Sequence, residues 1–248
     1  MPDGRSGDYS GLVQGGSNAD NALADAYVKH LTGINWTDAY QAMLKDAEVV
    51  PYNTFNPTDL SNGIQFGRGA LSDWIDLGYL SADRSTRSIS RSIEYSLNDF
   101  SLYQIAKEVA PEDAEKYLNR SAQWQNQWAR NVTHKGFTGF MAPRSSNGEF
   151  NLTDYNPAKC GDCSWEAITY EGTPFGGSKA HMMSHSTIYT DLQVEYSFTV
   201  PHDMETLIDF MGGEDEFERR LDYIFQPNTS EEDLGPNGAG VSTIMNIG

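Results

Sequence analysis

Cys160 and Cys163 form a Cys-Gly-Asp-Cys stretch, a spacing that suits a short-loop disulfide, a thiol redox pair or half of a zinc site. A structural zinc ion wants four ligands, and these are the only two cysteines, with no histidine at zinc spacing beside them. Thioredoxin-type chemistry places its pair at a helix start after a strand, whereas Asn156-Pro157 sets this one in a loop. A structural disulfide is the favoured reading, and no metal is assigned. His181 and His185 lie four apart, as two ligands on one helical face would, but the glutamate of a zincin motif is missing. Glu171 sits in an aromatic loop between Tyr170 and Gly172, and partial desolvation there can raise a carboxyl toward the range of a general acid. Spacing alone does not single it out among 35 acidic residues.

Five Asn-x-Ser/Thr sequons occur, at Asn35, Asn119, Asn131, Asn151 and Asn228, where composition alone predicts about two. Such sites matter only in a chain that enters the secretory pathway, so a secreted or vacuolar location is expected. The start, Met1 to Gly16, is polar and glycine-rich, without the basic and apolar regions of a signal peptide. Residues 1–11 read as a flexible N-terminal segment.

The 248 residues carry 17 basic against 35 acidic side chains, a formal charge of -18 that repels phosphate backbones and anionic lipid. Neither nucleic acid nor a membrane surface is expected as a partner. No apolar run approaches the roughly 18 residues that would span a bilayer. Thirteen Tyr, eleven Phe and five Trp supply the matter of a packed core rather than of a disordered acidic chain.

Hydrophobic period predicts helices and almost no strands. Residues 20–31 present Leu23, Tyr27 and Leu31 on one face, with Ser17 and Asp20 as a capping-box variant. Residues 37–47 align Tyr40, Met43, Leu44 and Ala47, and a weaker segment covers 70–77. Ser88 to Val109 shows a stripe through Ile89, Ile93, Leu97, Phe100 and Ile105. Pro111 opens the next helix, where its missing N–H costs nothing, and the period through Ala114, Tyr117, Leu118, Ser121, Trp124 and Trp128 carries that helix onward. Residues 131–200 read as one long irregular stretch. Asp203 is placed to cap a helix through Met204, Leu207, Ile208 and Met211, ended by Gly212-Gly213. Glu214 to Phe225 turns Phe217, Leu221, Ile224 and Phe225 inward and sets Asp215–Arg219 and Glu216–Arg220 at i, i+4. The expected class is mainly α, a helical barrel with a long irregular loop.

Several stretches together resemble glycoside hydrolase family 92 α-mannosidases, most closely the fungal type. They are Gln14-Gly15-Gly16-Ser17-Asn18-Ala19-Asp20, Leu23 to Lys29, Ser92-Ile93-Glu94-Tyr95-Ser96-Leu97-Asn98-Asp99-Phe100 and Gly139-Phe140-Met141-Ala142-Pro143-Arg144. Tyr170-Glu171-Gly172-Thr173-Pro174-Phe175 and Glu195-Tyr196-Ser197-Phe198-Thr199-Val200-Pro201-His202-Asp203 complete the set. The resemblance implies a mainly α fold, a partial (α/α)6 helical barrel over residues 12–248, and an inverting, calcium-dependent exo-α-mannosidase acting on mannose-containing glycans, typically α-1,2 linkages of N-glycans or mannan. It implies that Glu171 is the general acid and that Phe175, Tyr196, His202 and Asp203 lie toward the substrate. An N-cap role accounts for Asp203 equally well. Inversion needs a second carboxylate about 6.5–9.5 Å from the acid to activate water. The matching base and the main Ca2+ ligands of the family are expected beyond residue 248, so the chain reads as an interior fragment of the catalytic domain, inactive alone. The alternative is a non-catalytic acidic carbohydrate-binding or interaction protein that keeps part of the barrel. Gly176 to Val194, 19 residues, separates Glu171 from Glu195-Tyr196-Ser197 where the family runs almost directly between them. Residues 176–194 read as an atypical insert, either a retained intron or a natural surface loop.

Overall fold

A computed structural model of the chain describes residues 16–50, 67–85, 88–152 and 197–224. These residues are mainly helical, with seven α-helices and one two-stranded hairpin among them. They fall into two compact units, one drawing on Met1–Leu80 and Glu94–Asn126, the other on Ser81–Ile93 and Gln127–Gly248.

In the first unit, α1 spans Asn18–Val28 and α2 spans Trp36–Glu48. Asn35 caps α2 by accepting the Asp38 N–H at 3.4 Å, satisfying one donor that the first turn leaves without a partner. The helical period then carries Tyr40, Met43 and Ala47 inside. They pack with Leu102, Ile105 and Ala106 of α4 (Ser88–Val109) and with Tyr117 of α5 (Pro111–Ser121). Each large side chain buried in this way contributes about 1.5–3 kcal/mol. The short α3, Leu71–Leu77, stops at Gly78, whose φ of 76° is a left-handed conformation that glycine adopts freely. Leu71 and Trp74 of α3 meet Leu80 and Tyr95 in a second cluster.

Three expectations need correction here. α1 ends at Val28, leaving Leu31 52% exposed beyond the last turn. Ser17 occupies the N-cap position of α1, but its side chain makes no capping bond, because the hydroxyl is engaged by Asp20 and Arg68. The stripe on α4 is also wider than the apolar period suggested, since Tyr95, Ser96, Asn98, Asp99 and Leu102 are buried while Leu97 and Phe100 are half-buried.

Beyond α5 the reading of Trp124 and Trp128 as one continued helix needs correction. α5 closes at Ser121, a 3-10 segment covers Ala122–Gln127, and Trp128 begins a strand. Leu118, expected inward, is 43% exposed. Strands β1 (Trp128–His134) and β2 (Phe137–Met141) pair antiparallel, with Trp128 opposite Met141 and His134 opposite Phe137. The two residues between them, Lys135 and Gly136, have φ of 50° and 82°, the doubly positive turn whose twist matches that of the strands. Part of the stretch predicted as irregular is therefore a hairpin. Its Ala129, Val132, Phe137, Phe140 and Ala142 form a cluster that Tyr223 joins.

Helices α6 (Met204–Met211) and α7 (Glu214–Ile224) follow the predicted boundaries closely, with Gly212 at φ 110° between them. Asp203 stands at the α6 N-cap but makes no side-chain capping bond. On α7 the predicted i, i+4 pairs give way to Glu216–Arg219 at i, i+3, 2.6 Å apart. Arg220 turns inward instead and is buried. Among the described residues, no helix is long and apolar enough to cross a membrane.

Candidate functional site

The motif stretches come together in pairs, one pair in each unit. In the first unit, Gly16 to Asp20 lies against Glu94, Asn98 and Asp99 of α4. The Gly16 N–H donates to Glu94, and the Ser17 N–H donates to Asn98 Oδ1 at 2.9 Å. A Cβ at Gly16 would stand 2.4 Å from Asn98 Oδ1, so the close approach requires glycine.

Arg68 is the centre of this arrangement and has no exposure. Its Nη1 donates to Asp99 at 2.6 Å, its Nη2 to Asp20 at 3.2 Å and its Nε to the Ser17 hydroxyl at 3.1 Å. Asp99 also accepts from Trp74 Nε1 at 2.8 Å and lies 2.9 Å from Arg120 Nε. Burial works against the Arg68 charge, but the carboxylates of Asp99 and Asp20 outweigh it and hold its pKa above the ordinary value. Asp20 has the poorer share. Burial pushes its carboxyl up to about 7, although Arg68 and the Ser17 hydrogen bond pull the other way. Arg120 continues the network outward to Glu48 at 2.6 Å. Burial opposes the charge of Glu48, yet the Lys116 hydrogen bond, Arg120 and Tyr117 together hold its pKa below the usual carboxylate value.

In the second unit, the stretch ending at Asp203 is seated on the hairpin. The Met141 N–H donates to Ser197 Oγ at 3.2 Å, both residues being buried. Phe198 packs edge-on against Phe217 of α7 with ring centroids 5.5 Å apart. Val200 has no exposure, and the Asp203 N–H returns to its carbonyl at 3.1 Å. The segment thereby delivers His202 and Asp203, both half-buried, at the start of α6. Arg220 braces the other side of the hairpin by donating to the carbonyls of Gly139, at 2.8 Å, and Thr138. Its guanidinium lies over Phe140 at 4.9 Å and Phe137 at 5.4 Å. Burial lowers its pKa to about 10, which leaves it a cation at any physiological pH.

Of the residues singled out from the sequence, the structure describes His202 and Asp203 and the sequon asparagines Asn35, Asn119, Asn131 and Asn151, all four of which are exposed. Glu171, Phe175, Tyr196, Cys160, Cys163, Asn228 and residues 176–194 lie outside the described residues. Sequence reasoning missed Arg68, Asp99 and Arg220. For Asp99 a signal existed: it shares the helical spacing of Tyr95, Leu102 and Ala106, a polar residue on a buried stripe.

Helical hairpins tied by buried ionic contacts, with a β-hairpin holding a motif loop, define a helix-rich scaffold whose irregular segments are positioned by packing. The whole chain, residues 1–248, matches the model of the glycosyl hydrolase family 92 catalytic domain, and it belongs to that family. An uncharacterized secreted glycosidase of Arthroderma benhamiae is 37% identical over 244 residues, covering 92% of this chain and 28% of that protein. A family GH92 inverting mannosidase from Bacteroides thetaiotaomicron shares the fold at a TM-score of 0.64 and 20% identity, over 88% of this chain and 24% of that one. A second GH92 α-mannosidase of that organism, solved with mannoimidazole, gives 0.61 and 24% over 85% of this chain and 22% of its own. The chain thus spans about a quarter of the length of the relatives it matches.

Among the described residues, no donor set fits the calcium ion that the family resemblance implies. Among the described residues, no three side chains of His, Cys, Asp or Glu come together as metal ligands, and a hard cation wants six to eight oxygens. The clustered carboxylates Asp20 and Asp99 are already taken by Arg68.

Proposed function

We propose that this chain is part of the catalytic domain of a secreted, inverting exo-α-mannosidase that acts on mannose-containing glycans, with α-1,2 linkages as the favoured substrate. Membership of glycosyl hydrolase family 92 supports this reading most directly. The secreted description of the Arthroderma benhamiae relative supports the location. In the proposed reaction Glu171 protonates the departing glycosidic oxygen while a second carboxylate takes a proton from the attacking water. Tyr170 beside Glu171 would help keep that carboxyl protonated at working pH by excluding water. Phe175, Tyr196, His202 and Asp203 contact the sugar, with His202 and Asp203 held by the seating of Ser197 to Val200. Calcium dependence belongs to the whole protein in this reading, and its ligands are not drawn from the described residues.

We also propose that the isolated 248-residue chain does not turn over mannosides, because it covers only 22–28% of its relatives. The test is hydrolysis of α-1,2-mannobiose by the full-length protein, followed by NMR of the first-formed anomer. Release of β-mannose, with kcat reduced at least about a hundredfold in Glu171→Gln, is the expected result. Release of the α-anomer would overturn inversion, and an undiminished Glu171→Gln would remove Glu171 from the mechanism.

A further inference from the structure

One guanidinium in the first unit is shared by two buried carboxylates, and the sharing is unequal. Asp99 is met by Arg68 at 2.6 Å, Trp74 at 2.8 Å and Arg120 at 2.9 Å. Asp20 has Arg68 at the longer distance of 3.2 Å, together with the Ser17 hydroxyl. Asp20 and Asp99 are both shut away from water. Asp46 of α2 adds further negative charge toward Asp20, Glu94 of α4 lies next along the chain contact at Gly16, and Arg120 is drawn partly to Glu48. A buried cluster with more carboxylates than nearby cations lowers its energy by holding a proton.

The hydrogen bonds around Ser17 accommodate both forms. With Asp20 ionised, the Ser17 hydroxyl donates to its Oδ2. With Asp20 protonated, the direction reverses: Oδ2–H donates to Ser17 Oγ, and the Ser17 hydroxyl turns to Asn98 Oδ1 at 3.4 Å. Ser17 Oγ accepts from Arg68 Nε at 3.1 Å in either case. Within the docked arrangement only a hydroxyl rotation and one proton separate the two forms, and the ionised form carries the cost of an additional buried charge.

We propose that Asp20 is a proton-linked latch at the entry to α1: when protonated it keeps Gly16, Ser17 and Arg68 docked on α4, and when ionised it loosens that docking. The latch fastens in acid and slackens as the surroundings approach neutrality. Burial that lifts the Asp20 carboxyl to about 7 sets the window between its ordinary value of 3.8 and that point.

Hydrogen exchange of the full-length protein, followed by mass spectrometry on peptides covering residues 16–28, reads the latch directly. After correction for the intrinsic base-catalysed rate, the opening equilibrium should rise roughly tenfold per pH unit between about pH 5 and pH 7, as one linked proton requires. Peptides from 203–224 should not share this slope. Asp20→Asn, neutral at every pH, should abolish it. If that variant does not fold, Asp46→Asn serves instead and should move the sloping window to lower pH. A flat wild-type profile, a slope retained in Asp20→Asn, or an unmoved window in Asp46→Asn overturns the proposal. None of these readouts depends on mannosidase activity.

Discussion

Gly139 lies so close to Trp128 that a Cβ on the glycine would stand 2.9 Å from the indole ring. Its φ of 89° is a conformation that side-chain-bearing residues rarely adopt. Two penalties therefore combine in Gly139→Ala: about 1–2 kcal/mol of backbone strain and about 1–3 kcal/mol of overpacking. Urea unfolding should show a loss of about 2–5 kcal/mol, and a loss below about 1 kcal/mol would mean that the indole moves aside freely.

Arg68→Met leaves Asp20 with a hydroxyl but without its guanidinium, in a site closed to water. Removing one member of a buried ionic cluster costs about 3–5 kcal/mol, and chemical denaturation of the variant should register it. Arg68→Lys should recover little, since a single ammonium cannot reproduce the three directed contacts to Asp99, Asp20 and Ser17.

The pH profile of stability should have two limbs. Glu48 and Asp83 have pKa values below the usual carboxylate range in the folded chain. Their contribution is present above the unfolded value and is lost as pH falls through the folded one. Asp20 runs the other way: its contribution is full below 3.8 and is lost as pH rises toward about 7. The thermal midpoint should peak in mild acid, and a midpoint that climbs steadily through neutrality would contradict the Asp20 assignment.

Asn35 both caps α2 and heads an Asn-Trp-Thr sequon, two features that substitution can separate. Its Oδ1 caps α2, while its Nδ2 donates to Asp38 Oδ2 at 2.7 Å. In secreted protein, Asn35→Ser should lose any glycopeptide at this site while keeping a capping oxygen and most of the stability, whereas Asn35→Ala should lose both, at about 1 kcal/mol for the cap. Glycopeptide mapping with a parallel melting curve distinguishes them.

The helices were legible wherever apolar period and punctuation agreed. Pro111 and Gly212 mark real boundaries, and α2 differs from its expected range by one residue at each end. The period misled after Ser121, where tryptophans at plausible helical spacing belong to a 3-10 segment and a strand. Lys135-Gly136 carried the missing signal, because a glycine-containing pair between aromatic residues suits a hairpin turn. The ionic cluster was harder to anticipate. Its members lie at positions 17, 20, 68, 98 and 99, and only tertiary packing joins them. Resemblance found the motif stretches but not the physical task that each performs. Ser17, Asp20, Asn98 and Asp99 serve packing and charge balance in unit one, and Gly139 makes room for Trp128.

Neither compact unit is a continuous piece of chain. The polypeptide leaves the first at Leu80, contributes Ser81–Ile93 to the second, and re-enters the first at Glu94, inside α4. A ribosome must therefore release the chain as far as Asn126 before the first unit has all its parts. By then it has already surrendered a segment whose partners are still unmade. Until the chain from Gln127 onward has been made, the Ser88–Ile93 end of α4 lacks the rest of its own unit, while the other end already has its partners.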